Sequence, residues 1–282
     1  QCAEGTPRQY WCVLFLLFSS SSSPIPMSEA ASKPPSGTDT ITRVSPPHTE
    51  WKPPEPQPSP FAQMGFKSLD PSSKETGNLY PLCISSVVPR PIALTSTLSA
   101  AGVQNLSPFS YFNILSHKPP TLAIGICRKP GLEGEGSKKD TFANIEATGE
   151  FVVNIMSDWF IEAANHTCGD FVPEDNEMDL AGLTPLPSVV VKPPRVGESA
   201  FHMECRLKQI IPLSDDEGRP TTEIVVGTVV MFHVNEGVLT QTPSGSHTVD
   251  VARLRALGRM GGNDYGRVTE VFELARPPRP GQ

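Results

Sequence analysis

The feature that most constrains this chain is Glu223–Val234, GluIleValValGlyThrValValMetPheHisVal, a twelve-residue run rich in β-branched side chains and interrupted once, by Gly227. β-branched residues suit a pleated, half-buried surface, so the run predicts a long strand. A glycine in its middle predicts a bend or bulge of the kind a barrel strand needs. Five shorter runs have the same character: 92–97, 121–127, 151–155, 203–211 and 268–274. Turn residues separate them, and the expected class is mainly β, a barrel or sandwich. Helical patterns are fewer. Asp140–Gly149 opens on a capping residue and stops at a glycine, and 158–166 and 248–257 are two more.

Charge narrows the partners. The 282 residues carry a net charge of -7 with no basic cluster, whereas nucleic-acid affinity rests largely on Lys and Arg neutralising phosphates. No nucleic-acid partner is expected. The six cysteines are scattered, without CxxC pairs or Cys/His metal spacing. They read as reduced thiols of a cytoplasmic protein, with no metal site. Tyr10–Phe18 is apolar but too short to cross a bilayer, and no cleavage signal follows it. Residues 1–26 are expected to lie upstream of a start at Met27, with secretion as the alternative. The Pro/Ser-rich stretch that follows cannot bury enough surface to order itself, so 27–78 is expected to be a disordered tail. The folded domain is expected over 79–276, with 277–282 as a second tail.

Two stretches could carry chemistry. Ile92–Leu94 should pair in the barrel, leaving the hydroxyls of Thr95, Ser96 and Thr97 at the strand end. After a turn at Gly102 comes Asn105–Ser110 (AsnLeuSerProPheSer), expected as a loop constrained by Pro108. Such a loop offers polar groups to the edge of a flat heterocycle, or satisfies its own turns. Gly131–Thr141 runs from glycines into a helix start bearing Lys138 or Lys139 and the Thr141 hydroxyl, a place that favours a phosphate. Its plain alternative is a solvated loop with Asp140 as N-cap. Gly258–Tyr265 adds Arg259 beside glycines and an aromatic ring. The histidines are not grouped as ligands or a triad, and no GxSxG elbow is present. No side-chain acid, base or nucleophile stands out, so the catalytic residues are unassigned.

These pieces resemble the flavin reductase-like family of FMN-binding split barrels. The blocks are ProArgProIleAlaLeuThrSerThr with AsnLeuSerProPheSerTyrPhe, LysAspThrPheAlaAsnIle with ThrGlyGluPheValValAsnIle, GluMetAspLeuAlaGlyLeuThr with ProProArgValGlyGluSer, and GlyArgMetGlyGlyAsnAspTyr. They run in order from about Tyr80 to Arg276. The resemblance implies a six-stranded Greek-key split β-barrel with short peripheral helices, dimerising as a homodimer around non-covalent FMN. It implies that Leu94, Thr95, Ser96 and Thr97, with Asn105, Leu106, Ser107, Phe109 and Ser110, line the ring and ribityl chain. Lys139, Asp140 and Thr141 would take the phosphate, and Arg259 would add a contact. NADH or NADPH would be the electron donor, passing hydride to flavin N5. The GlyAspHis motif common in such reductases is replaced here by AspAspGluGlyArgProThrThrGlu, 215–223. That leaves open a flavin-binding electron carrier or sensor without NAD(P)H activity of its own.

Overall fold

The computed structural model describes residues 41–277. The expected upstream segment 1–26, the first part of the expected tail and residues 278–282 lie outside the described residues. Between 41 and 79 no residue is buried, and the main regular feature is a parallel pairing of Thr42–Arg43 with Glu270–Val271.

Seven strands form the principal sheet: β1 (Ala93–Leu98), β2 (Gln104–Phe109), β3 (Phe112–His117), β4 (Pro120–Cys127), β5 (Glu150–Ile155), β6 (Phe201–Ser214) and β7 (Pro220–Val234). Their order is β2-β1-β5-β6-β7-β4-β3, with every pair antiparallel. The two edge strands, β2 and β3, are consecutive in the chain and joined only by Ser110 and Tyr111. The sheet therefore curls until its edges nearly meet, closed by the chain rather than by a hydrogen-bond ladder. Phe109 and Phe112, from opposite edges, enter one core with Ile124, Phe151, Met203 and Val225.

Side chains on β1 and β2 alternate between two cores, as the period of a strand requires. Ala93 and Phe109 face the barrel interior. Leu94 and Leu106 face a second cluster with Met156, Phe160, Met178 and Leu183, formed under the segment that carries α3 (Ile161–His166) and α4 (Glu177–Leu180).

Gly227 does not itself bulge; it makes room for a neighbour. A side chain there would overlap the buried Phe151 ring. Opposite it the register slips: Leu207 pairs with Gly227 but Gln209 with Val226, so Lys208 is the extra residue of a bulge.

Four sequence expectations are corrected. The main sheet has seven strands rather than six. Asn105–Phe109 is edge strand, not loop; Leu106 directs its N–H away from β1, so Pro108, two residues on, also lacks its N–H on the unpaired side, where a proline is tolerated. The run 268–274 contributes only Glu270–Val271, because no main-sheet strand lies beside it. The helix expected over 248–257 shrinks to α5 (Val251–Leu254), which Asp250 caps and Arg255 ends in a left-handed turn with φ 49.

Helix α2 (Asp140–Thr148) forms where expected and ends at Gly149, φ 72, whose N–H returns to Ile145 O at 2.8 Å. Its cap differs. Lys139 occupies the N-cap position, and Asp140 is the first helical residue, its carboxylate 3.4 Å from Lys129 Nζ.

Candidate functional site

The two stretches singled out in the sequence meet. Thr97 and Asn105 are cross-strand partners on β1 and β2, and the Thr97 hydroxyl donates to Asn105 Oδ1 at 3.2 Å. Thr141, in the first turn of α2, donates to the same oxygen at 2.7 Å. Asn144, one turn on, donates to Thr97 Oγ1 at 3.0 Å. The remaining face of Asn105 is taken by Glu177 of α4, whose Oε1 accepts from Asn105 Nδ2 at 2.7 Å and whose Oε2 accepts from Leu106 N at 3.0 Å. All five residues are buried. Burial pushes the Glu177 carboxyl up, opposed by the N–H groups donated to it.

The other expected lining residues divide by face. Leu94 and Leu106 are in the second core, and Ser96 donates to Pro194 O. Thr95 is buried, its hydroxyl 3.3 Å from Ala93 O. Residues 93–96 pair on both sides, with β2 and β5. Phe109 packs inside the barrel, while Ser107 and Ser110 are half-buried. Gln104, beside Asn105, keeps a buried Oε1 without a donor among the described residues.

At the start of α2 the two lysines differ. Lys138 is held by Glu146 at 2.6 Å and Glu135 at 2.9 Å and lies over the Phe142 ring. Lys139 has no ion pair or side-chain hydrogen bond among the described residues, and the first-turn amides of α2 lie beside it, unpaired as helix geometry requires. The glycine-rich loop before it is fastened by Arg128, which pairs with buried Glu223 and donates to Gly134 O and Ser137 Oγ, both at 3.0 Å. A cavity of about 510 Å³ opens between this loop and the β6–β7 hairpin, bordered by Lys129, Gly131, Asp215 and Arg219.

Arg259 lies on β8 (Leu257–Arg259), its guanidinium 4.4 Å from the Tyr265 ring centroid on β9 (Tyr265–Arg267). The Tyr265 hydroxyl donates to Asn165 at 2.7 Å. Sequence reasoning missed Arg90. It is buried, and it donates to Ile84 O and Val87 O at the end of α1 (Tyr80–Ser86), to Met260 O at 2.9 Å and to Ser110 Oγ at 3.2 Å. One guanidinium thereby gathers α1, the end of β2 and the Gly258–Tyr265 stretch. The only hint was an arginine between two prolines. Glu177 was missed as well.

Residues 85–249, more than half of the chain, match the model of the flavin reductase like domain. An uncharacterised protein of Halalkalibacterium halodurans is 38% identical over 74% of this chain and 96% of its own. Nitrilotriacetate monooxygenase component B from Bacillus cereus superposes with a TM-score of 0.67 at 35% identity, over 74% of this chain and 99% of that one. A split-barrel protein of Shewanella frigidimarina superposes with a TM-score of 0.58 at 24% identity, over 73% and 92%, a likeness of fold. The curled, edge-open sheet is thus a split barrel, and the chain belongs to the flavin reductase-like domain family.

Proposed function

We propose that the protein is an FMN-binding oxidoreductase of the NAD(P)H:flavin reductase type, with residues 79–276 as its flavin domain. The observation that carries this reading is Lys139, without an ion pair among the described residues, at the start of α2, a helix N-terminus held against the hydroxyl- and amide-bearing edge β1–β2. A helix start with an added full positive charge favours a phosphate. The residues fit the group in a second respect: Gln104 Oε1 is a buried acceptor without a donor among the described residues, which a ribityl hydroxyl would supply.

FMN held there would supply the redox chemistry, hydride transfer at N5 with NADH or NADPH as donor. The chain's share is binding and orientation. Lys139 and the amides of Asp140 and Thr141 would hold the phosphate. Ser107 and Ser110, half-buried on the barrel edge, meet the ribityl chain and ring. Thr95, Thr97 and Asn105, with the backbone of Leu94, Ser96, Leu106 and Phe109, form the wall behind. Arg259, braced on Tyr265, would add a contact to the flavin. No proton donor is required of the protein.

A homodimer would cover the apolar surface that α1 and the open edge β3 leave exposed, with Tyr80, Leu82, Tyr111, Ile114 and Leu115 on it. Sedimentation or light scattering of the purified protein measures this directly. Three exposed free thiols, Cys83, Cys127 and Cys168, suit a cytoplasmic location. Among the described residues no helix is long and apolar enough to cross a membrane.

A second reading, a flavin-binding carrier without NAD(P)H activity, draws on the β6–β7 hairpin. The arginine of its turn, Arg219, is tied to Asp215 and Glu217, both at 2.8 Å, rather than left for a nucleotide. Anaerobic mixing with FMN and NADH or NADPH separates the two. Rapid bleaching of the flavin supports the reductase; a yellow protein reduced only by dithionite supports the carrier and overturns the reductase.

A further inference from the structure

Glu177 lies 72 residues from Asn105 in the chain and shares no strand or helix with it, yet its carboxylate is the terminus of the hydrogen-bond chain beneath the proposed phosphate site. Each of its oxygens faces an N–H: one the side-chain amide of Asn105, the other the backbone N–H of Leu106 on the unpaired side of β2. A carboxylate in this position only accepts, so Asn105 must turn its NH2 toward Glu177. Its carbonyl is thereby turned toward Thr97 and Thr141, whose hydroxyls both donate to it. The Thr97 oxygen is then free to accept from Asn144. The direction of every bond follows from one acceptor at position 177. Two of these residues, Thr141 and Asn144, belong to α2, so the chain sets where the first turn of that helix stands against the barrel edge.

We propose that Glu177 is a positioning residue for the flavin phosphate: by fixing the direction of the chain through Asn105 to Thr141 it holds the start of α2 in the place where Lys139 and the helix amides converge. This rests on the FMN reading above. The burial of all five residues gives the direction its force, because a donor facing a donor in such a place has no water to turn to.

The test exchanges donor and acceptor. In Glu177→Gln one of the two N–H groups must face another N–H, or Asn105 must flip and strand the Thr97 and Thr141 hydroxyls. In Asn105→Asp two carboxylates face each other. In the double variant, Glu177→Gln with Asn105→Asp, every donor again meets an acceptor. The new amide on α4 accepts from the Leu106 N–H and donates to the new carboxylate on β2, which in turn accepts from both threonines.

Affinities for FMN and for riboflavin, which lacks the phosphate, are measured by flavin fluorescence, with melting midpoints of the flavin-free proteins alongside. We expect Glu177→Gln to weaken FMN about tenfold and riboflavin by less than about twofold, and the double variant to recover FMN binding to within about threefold of native. Melting midpoints should fall in each single variant and return in the double. A double variant no tighter than Glu177→Gln would overturn the proposal, and so would riboflavin weakening in step with FMN, the signature of a merely structural role. Native protein that holds neither flavin would overturn the FMN reading, and the positioning role with it, whatever the melting midpoints show.

Discussion

The hydroxyl of Thr141 donates to the side-chain carbonyl of Asn105 across 2.7 Å, joining the first turn of α2 to the edge strand β2. The two stretches that look like opposite ends of a cofactor site are therefore in direct contact, and Thr141 spends its proton inside the protein.

This separates the roles of neighbouring residues. Lys139→Ala is expected to weaken FMN binding about tenfold or more, the scale of a lost charge-assisted contact, with unfolding free energy unchanged within about 0.5 kcal/mol. Thr141→Ala removes a buried hydroxyl and is expected to cost about 1–2 kcal/mol of stability. Titration with FMN and urea unfolding of both variants check this; equal stability loss in the two would contradict the assignment of Lys139 to the phosphate rather than to the fold.

Gly227 is required by its neighbour rather than by its own backbone. A methyl group there overlaps the Phe151 ring, which is fully buried among barrel side chains. Gly227→Ala is expected to destabilise by about 1–3 kcal/mol, the usual cost of overpacking. Adding Phe151→Leu, which shortens the obstructing side chain, should make the glycine substitution less costly than in the native background. A double-mutant cycle by chemical denaturation reads this coupling; strict additivity would mean the ring is not the obstacle.

His202 gives the fold an acid-sensitive point. Burial lowers its pKa from 6.5 to about 4, outweighing the bond from its Nε2–H to Val196 O, while Nδ1 has no partner among the described residues. Above pH 6.5 the residue is neutral folded or unfolded and contributes no pH dependence. Between 6.5 and about 4 the unfolded chain takes up a proton that the folded chain refuses, so stability falls as pH falls. The slope is about 1.4 kcal/mol per pH unit. From about pH 7 to about pH 5 native protein should lose about 2 kcal/mol more than His202→Gln, measured by urea unfolding at both values. Parallel losses in the two proteins would show that His202 is not the group responsible.

Local signals carried much of this architecture. Gly149 stopped α2 where a left-handed cap was needed, and Gly227 marked the place where β7 passes the Phe151 ring opposite a bulge in β6. What escaped was set by tertiary context. Gln104–Phe109 is polar and contains a proline, so it reads as loop. It is a strand because β1 pairs with one side while the other faces Glu177, leaving Pro108 without an unmet partner. Glu177 and Arg90 left no periodicity to follow, since a single buried charge is defined by the distant groups that converge on it. Thr97, Asn105 and Thr141 meet in the structure, but their side chains satisfy one another, and only coordinates show which hydroxyls are already committed.

The proposed function requires that this barrel edge and helix start hold FMN. Gel filtration of the purified protein after incubation with excess FMN tests it most directly. The account predicts the visible flavin band to travel with the protein at about one flavin per chain, a ratio in keeping with a preformed small-molecule site. Flavin eluting entirely with the small molecules, and a colourless protein peak, would contradict it.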